Sequence, residues 1–251
     1  MQTNQNKIFR FNIIATGSDG NCVVATFSDL RQVVFDLGKG CYKESQRLNY
    51  KMLPSVDFSK VDNVLITHEH QDHCGDYGKV EDIDFPKTLR VEKLAVRHDV
   101  ENFGYLVFNE NTKEVAGYFT DYSSIPKASL DRLIELVSDK EWSYMLGMEL
   151  SYCFHIYAEL GEGEKFGLGR HCSDFVFFNY ARKILEANPA VNIITLHASR
   201  RTSANGGAVA PKDYLRQKFS KFQPSVIRFG EAYGMAGSYN YIKGETFGGM
   251  K

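Results

Sequence analysis

Residues 65–76, LITHEHQDHCGD, concentrate side chains that can bind a metal ion, because three of the seven histidines lie here. The centre of the stretch reads His68-x-His70-x-Asp72-His73. In an extended segment, residues two apart point to the same side, so His68 and His70 can converge on one ion. After a turn, Asp72 and His73 can face a second ion. Neutral imidazoles and carboxylates are ligands of Zn²⁺. This spacing therefore predicts a metal site rather than an exposed turn that is rich in histidine.

Short apolar segments with turn residues between them must position this cluster. The run VDNVLITH (61–68) predicts a buried strand that ends at the cluster. Two β-branched runs, 21–27 and 31–38, predict a hairpin. Further strands are predicted within 7–17, 88–99, 103–110, 114–121, 144–152, 191–199 and 225–230. Helices are predicted over 129–139 with Ser129 as the N-cap, over 173–189 with Ser173 or Asp174 as the N-cap, and over 211–222.

This order of elements, rich in strands at first and alternating later, predicts the fold class. It fits an α/β protein in which two sheets pack together with helices outside, in a single domain over residues 1–251. The charge is uneven. Residues 1–164 hold 17 Lys/Arg against 26 Asp/Glu, and residues 165–251 hold 13 against 5. The later part can therefore offer a face that binds anions, although uneven surface composition explains the counts equally well.

The cysteines and the amino-terminal residues suggest a compartment. Five widely spaced cysteines without a CxxC motif argue against a secreted disulfide framework and for a reducing compartment. Cys74, inside the histidine cluster, is interpreted as a small packing residue rather than a ligand. The first residues, MQTNQNKIFRFNII, have no apolar region typical of a signal peptide, and no run approaches a membrane span. We therefore expect a cytoplasmic protein that does not bind membranes.

Three motifs resemble the opening motifs of the metallo-β-lactamase superfamily. They are GSDGNC (17–22), VVFDLG (33–38) and THEHQDH (67–73), and they follow the family's order. The resemblance implies an αββα sandwich, with two mixed sheets flanked by helices and a metal site at the edge. It implies that His68, His70, Asp72 and His73 are metal ligands. It also places Asp36 as a supporting residue beneath the site.

The resemblance also implies later ligands. His98 in AVRHD would be the third imidazole of the first site, Asp121 in GYFTD would bridge two ions, and His197 in IITLHAS would complete the second site. These seven residues would hold two Zn²⁺ ions, about 3.5–4 Å apart, that activate water, with Mn²⁺ as another possible metal. Histidine ligands need oriented acceptors for their second nitrogen, and Asp36 and Asp99 are candidates for that role.

The stretch 168–201 resembles the later part of ribonuclease Z and of the YycJ-type phosphodiesterase and exonuclease branch. The resemblance implies that His171 protonates the leaving oxygen and that Glu149 in GMELSY lies beside it. A carboxylate beside an imidazole raises the pKa of that imidazole and favours an acid role. With Asp72, these are the expected catalytic residues. The other reading of Glu149 is a surface strand residue. His155 has no motif support and is interpreted as structural.

The expected activity is hydrolysis of phosphodiester bonds in nucleotides. Arg170, Arg200 and Arg201 are candidates for holding the phosphate, although ordinary surface charge is an equal alternative. The near-neutral net charge of −1 and the absence of the arm that ribonuclease Z uses to grip tRNA narrowly favour a cyclic nucleotide over a polymer. A DNA or RNA exo- or endonuclease remains the main alternative, and a non-catalytic metal-binding domain is a more distant one. The resemblance also suggests a homodimer.

Overall fold

Two β-sheets form the frame of the protein. The structure, a computed structural model, describes residues 9–17, 20–43, 58–150 and 171–197 and four short strands between 227 and 248. The first sheet contains, in spatial order, β13 (Thr246–Gly248), β1 (Arg10–Ala15), β2 (Cys22–Thr26), β3 (Gln32–Phe35) and β4 (Val61–Leu65). The second contains β10 (Ile227–Phe229), β9 (Asn192–Leu196), β8 (Ser143–Glu149), β7 (Glu114–Phe119), β6 (Asn102–Asn109) and β5 (Arg90–Val96). Strands β11 (Tyr233–Gly234) and β12 (Asn240–Tyr241) form a separate pair.

Strand direction brings many carboxyl ends to one edge of each sheet. In the first sheet β3 and β4 are parallel, whereas β1, β2 and β3 are antiparallel. In the second sheet β7, β8, β9 and β10 are parallel. Strand β5 has the same direction, because β5 and β7 are both antiparallel to β6. The carboxyl ends of β5, β7, β8 and β9 therefore lie along one edge of the second sheet.

Alternating side chains of the second sheet serve two cores. Along β7, Ala116 and Tyr118 face the first sheet, whereas Val115 and Phe119 face the helices. The ring of Tyr118 stacks on Phe35 of β3, with centroids 5.1 Å apart. All six residues of β7 are buried, as expected for a strand that is covered on both faces.

Two helices cover the outer face of the second sheet. Helix α1 is the short turn Gln71–Cys74, α2 is Lys127–Val137 and α3 is Asp174–Ala187. Helices α2 and α3 pack against each other, with Leu133 and Ile184 in the core that they share with the sheet. Single 3₁₀ turns lie at Phe58–Lys60 and Tyr77–Lys79. The predicted α/β fold with two packed sheets and helices outside is confirmed.

Two local predictions need correction, and one is confirmed. Ser173 caps α3, and its hydroxyl accepts from the N–H of Val176 at 3.3 Å, as predicted. Ser129 is not a cap, because α2 begins two residues earlier, at Lys127. Pro126 occupies the cap position, and its fixed φ of −54° leads the chain into the helix. Strand β4 is not fully buried, because it lies at the edge of the first sheet, with Asn63 and Leu65 half-buried.

Some predictions lie outside the described residues, namely the helix over 211–222 and the environments of His155, Arg170, Arg200 and Arg201. The single-domain organisation over 1–251 stays a prediction. Within the described part of the chain, no helix combines the length and apolarity needed to cross a membrane.

Candidate metal centre and catalytic residues

The candidate site forms where strands of both sheets end. His68 follows β4, His98 follows β5, Asp121 follows β7 and His197 follows β9, while Glu149 is the last residue of β8. Contacts between the sheets hold these ends together. The N–H of His197 donates to the Thr16 hydroxyl at 2.7 Å, and Phe103 N–H donates to the Thr67 carbonyl at 3.2 Å. The sheet edges therefore bring together residues that are far apart in sequence.

The backbone is constrained directly after β3 and near the ends of β7 and β9. Asp36, Asp121 and His197 have φ values of 56°, 49° and 56°, in the left-handed region that few residues other than glycine adopt. Such a conformation costs about 1–3 kcal/mol and persists only where surrounding contacts determine it. All three side chains are buried and point to the histidine cluster. The strain is consistent with a requirement for side-chain position that outweighs local backbone preference.

The opening motif bends at helix α1 and is held by the loop that follows β3. Leu37 N–H donates to the His73 carbonyl at 2.8 Å, and Lys39 N–H donates to the Gln71 carbonyl at 3.0 Å. Between them, a Cβ on Gly38 would lie 1.9 Å from the Asp72 carbonyl oxygen, so only glycine fits there. The motif DLG therefore holds the backbone of Asp72 and His73 in position.

The first group of potential ligands contains three imidazoles and a carboxylate. His68 Nε2 lies 3.1 Å from His70 Nδ1, which lies 3.4 Å from His98 Nε2. Asp121 Oδ2 lies 3.5 Å from His68 Nε2 and 3.8 Å from His98 Nε2. In a tetrahedral zinc site with bonds of 2.0–2.2 Å, neighbouring ligand atoms are about 3.3–3.6 Å apart. These spacings are close to that separation.

The second group contains Asp72, His73, Asp121 and His197. His73 Nε2 lies 3.3 Å from Asp72 Oδ2 and 3.1 Å from Asp121 Oδ2, and His197 Nε2 lies 2.9 Å from Asp121 Oδ1. In each group, one ligand atom from every residue lies within 4.8 Å of the others. Asp121 belongs to both groups, so its carboxylate can bridge two cations. The structure thus brings together all seven predicted ligands.

Buried atoms without hydrogen bonds test whether a cation fits. Among the described residues, Asp121 Oδ1 and both ring nitrogens of His197 are buried and have no hydrogen-bond partner, although they approach each other closely. Buried polar atoms rarely lack partners unless an ion or water completes the site. The donor set and its spacing therefore fit divalent cations.

The electrostatics of the cluster also favour positive charge. Burial lowers the pKa of His73, but Asp36 and Asp121 outweigh it and hold that pKa well above its usual value. Burial likewise opposes charge on His197, and Asp121 and Glu149 outweigh it, raising the pKa of His197 to about 10. Burial alone would raise the pKa of Asp121, but His197 and His73 hold it well below its usual range. The carboxylates thus attract protons, or cations in their place.

A hydrogen-bonded pair of Glu149 and His171 adjoins the second group. Glu149 is completely buried, so the alternative reading as a surface residue is wrong. Its Oε1 accepts from His171 Nδ1 at 2.9 Å, and its Oε2 accepts from the N–H of Tyr122 at 2.8 Å. The His171 side chain is 30% exposed, and its Nδ1 lies 3.6 Å from Asp121 Oδ1. His171 thus lies between the buried carboxylates and solvent.

The pKa of His171 is raised by this pair. Burial lowers the pKa of its imidazole, but the hydrogen bond that it donates to Glu149 and the negative charge of Glu149 outweigh that effect. In turn, burial would raise the pKa of Glu149, yet its hydrogen bond with His171 and the nearby imidazole of His197 lower it. The pair therefore favours an ionised Glu149 and a protonated His171.

Comparison with solved structures places this arrangement in a known fold. Yeast PDE1, unliganded, has a TM-score of 0.64 and 10% identity over 88% of this chain and 96% of its own. The metallo-β-lactamase fold protein YhfI from Bacillus subtilis has a TM-score of 0.59 and 13% identity over 96% of this chain and 100% of its own. Human tRNase Z, short form, has a TM-score of 0.54 and 12% identity over 76% of this chain and 93% of its own.

The chain has the metallo-β-lactamase fold. At these identities the similarity concerns the fold alone. No protein-family model matches the sequence, and the search of curated proteins finds no match.

Within the metallo-β-lactamase fold of this chain, the two predicted supporting carboxylates lie in different positions. Asp36 Oδ2 accepts from His73 Nδ1 at 2.7 Å, on the side of the ring away from Asp121. Asp99 Oδ1 lies 2.9 Å from His98 Nε2, the nitrogen that faces the first group, and 3.8 Å from His70 Nε2. Asp36 therefore supports a ring from behind, whereas Asp99 lies at the rim of the first group.

Two residues of this edge had no predicted role. Asn21, in the motif GSDGNC, places its Nδ2 2.9 Å from His73 Nε2 and 3.4 Å from Asp72 Oδ2. The Thr67 hydroxyl contacts Asp36 and His68. Both residues lie within the motifs that resemble the superfamily, but their contacts form only in the folded chain. Cys74 Sγ donates to the Glu69 carbonyl at 3.2 Å and belongs to neither group, which fits its predicted packing role.

Proposed function

We propose that the protein is a metal-dependent phosphodiesterase that acts on nucleotides with two divalent cations, Zn²⁺ first among them. The His171–Glu149 pair beside the shared carboxylate Asp121 carries this proposal. Cleavage of a phosphodiester needs stabilisation of charge on the phosphate and a proton for the departing oxygen. This edge offers groups for both. By their names, yeast PDE1 and human tRNase Z, which share the fold, also support hydrolysis of phosphodiesters.

The seven residues of the two groups would hold the cations. When bound there, such ions stabilise negative charge on phosphoryl oxygens and lower the pKa of water. A donor set of imidazoles with few carboxylates and no thiolate favours Zn²⁺, and Mn²⁺ is the second candidate. The count and identity of the ions are measured by elemental analysis of protein purified without added chelator.

His171 supplies the proton in the proposed reaction. Its Nδ1 is hydrogen-bonded to Glu149, so Nε2 is the nitrogen that can donate a proton to a substrate. The nucleophile would be a hydroxide, left when a water molecule gives one proton to solvent. As its oxygen bonds to phosphorus and the ester P–O bond breaks, the proton of His171 Nε2 moves to the departing oxygen, and His171 then takes up a new proton from solvent. Glu149 stays ionised throughout and keeps the ring in orientation. General acid catalysis of this kind contributes about 10²–10⁴-fold to a rate.

A cyclic nucleotide is the favoured substrate, and a polymer is the alternative. The net charge of −1 gives the chain no overall basic character of the kind that polymer binding usually uses. The 13 Lys/Arg against 5 Asp/Glu in residues 165–251 keep a nuclease as the second candidate. Arg170, Arg200 and Arg201 are the proposed phosphate contacts. A homodimer stays a prediction, to be tested by light scattering.

The experiment offers three substrates side by side to the zinc-loaded protein. They are bis-p-nitrophenyl phosphate, 3′,5′-cyclic nucleotides and labelled single-stranded oligonucleotides. We expect turnover of the first two and its loss in His68→Ala. Turnover of oligonucleotides alone would reverse the order of the two substrates. A protein that binds two ions and hydrolyses none of the three would instead be a non-catalytic metal-binding domain.

A further inference from the structure

The Thr67 hydroxyl lies at the junction of the two ligand groups. Thr67 is buried, with 1% of its surface exposed, immediately before His68. Its Oγ1 lies 2.9 Å and 3.1 Å from the two carboxylate oxygens of Asp36 and 2.9 Å from His68 Nδ1. It lies 3.4 Å from His73 Nδ1. One hydroxyl thus contacts a carboxylate and a histidine from each group.

Counting protons decides the direction of these bonds. A carboxylate can only accept a hydrogen bond, so the Thr67 hydroxyl donates its one proton to Asp36. The Thr67 oxygen then accepts from His68 Nδ1–H, which leaves His68 Nε2 without a proton and able to bind a cation. His73 Nδ1 donates directly to Asp36 Oδ2 at 2.7 Å. Its Nε2, which lies 2.9 Å from the Asn21 amide nitrogen, is therefore the nitrogen that would bind a cation once it holds no proton. The hydrogen-bond pattern fixes the tautomers of both rings.

We propose that Thr67 is a positioning residue that extends the influence of Asp36 to the first metal site, so that one buried carboxylate orients a histidine in each of the two groups. His73 receives this influence directly, and His68 receives it only through the Thr67 hydroxyl. This inference rests on the proposed binding of cations. The two sites should therefore differ in their dependence on the hydroxyl.

The contacts predict a selective effect. Removing the hydroxyl leaves His73 with its direct bond to Asp36, but leaves His68 Nδ1 without its acceptor. Loss of such an outer partner lowers metal affinity by about 10–100-fold. Thr67→Val, which keeps the shape of the side chain, should therefore weaken the first group and spare the second. Thr67→Ser should keep both affinities, since it retains the hydroxyl.

The experiment measures zinc affinity in single-site backgrounds, by competition with a chromophoric chelator. Asp72→Ala disables the second group and His98→Ala disables the first. We expect Thr67→Val to lower the remaining affinity about 10–100-fold in the Asp72→Ala background and to leave it unchanged in the His98→Ala background. Asp36→Asn should lower affinity in both. Thr26→Val is the matched control, because the buried Thr26 hydroxyl bonds only to Gln32 among the described contacts, far from the site.

Thermal unfolding of each metal-free variant separates a folding defect from a loss of affinity. Equal losses in the two backgrounds, or no loss in either, would overturn the role of Thr67, while two-ion binding by the wild type would leave the proposed function intact. The selective loss without any phosphodiester turnover would support Thr67 and reject the proposed function. A wild-type protein that takes up no zinc would overturn both.

Discussion

The two ends of the same strands differ in the groups that contact their buried carboxylates. At the amino ends of β4 and β7, each carboxylate is saturated by donors from the chain. Asp62 accepts from the N–H groups of Thr88 and Leu89, each at 3.1 Å, and from the Thr88 hydroxyl. Glu114 accepts from Ser28 N–H at 2.8 Å, from the Ser28 hydroxyl and from Thr112 Oγ1 at 2.9 Å.

At the carboxyl ends, the carboxylate of Asp121 faces imidazoles instead of neutral donors. Asp121 meets His68, His73, His98 and His197, and one of its oxygens has no hydrogen bond among the described residues. The same edge holds the three site residues with left-handed backbone. The amino end is complete within the chain and serves stability. At the carboxyl end Asp121 is not saturated among the described residues, and it is there that we expect a cation and chemistry.

The largest effect is expected from Asp121→Asn, which removes the charge shared by both groups. Zinc content should fall well below two ions per chain, and phosphodiester turnover should fall to background. Elemental analysis and the bis-p-nitrophenyl phosphate assay measure the two results. Glu114→Gln, a matched loss of one buried negative charge at the other end of β7, should retain both. Two tightly bound ions in Asp121→Asn would show that Asp121 does not bridge the groups.

The second effect concerns the proton donor. His171→Gln should lower kcat by about 10²–10⁴-fold while the zinc content stays at the wild-type level. Glu149→Gln removes the charge that raises the pKa of His171, so the protonated form should be lost at lower pH. The alkaline limb of the kcat–pH profile should therefore move to lower pH in Glu149→Gln. An unchanged alkaline limb would assign that limb to another group.

The sequence predicts the local part of the site better than the part formed by tertiary contacts. His68, His70, Asp72 and His73 lie within six residues, so their spacing alone indicates a metal site. His98, Asp121 and His197 each follow a different strand, and only the resemblance to a family linked them to the cluster. The left-handed backbone of Asp121 and His197 could not be predicted, because tertiary contacts impose it against local preference.

The fold was also predictable from local sequence patterns, and the predictions that were wrong have local causes. Short apolar runs with turn residues between them predict β5 to β9, and the order of strands and helices predicts two packed sheets. The Ser129 cap was wrong because serine in a first turn resembles a cap in sequence, while Pro126 starts the helix. The contacts of Thr67 with Asp36 span 31 residues, and those of Asn21 with Asp72 span 51, so no local pattern could reveal either.

The third effect is a pH dependence that differs between metal-free and zinc-bound protein. The pKa of His197 is raised from 6.5 to about 10, so its contribution to stability is complete below pH 6.5 and is lost as pH rises through 10. Zinc must displace such protons, and its affinity therefore rises by about tenfold per pH unit for each proton released. The difference in Tm between the two forms should widen from pH 6.5 to 8.5. Calorimetry at fixed free zinc measures it, and a constant difference would contradict proton release from the cluster.

The smallest effect on activity is expected at the saturated end of the sandwich. Asp62→Asn replaces an acceptor oxygen with an N–H₂ group that faces the N–H of Thr88 or Leu89, so one buried donor loses its acceptor. Such a loss costs about 1–3 kcal/mol in the free energy of unfolding. Denaturant unfolding should show this decrease, whereas zinc content and kcat should match the wild type. A loss of zinc in Asp62→Asn would mean that the two ends are coupled through β4, since Asp62 and His68 lie at opposite ends of that strand.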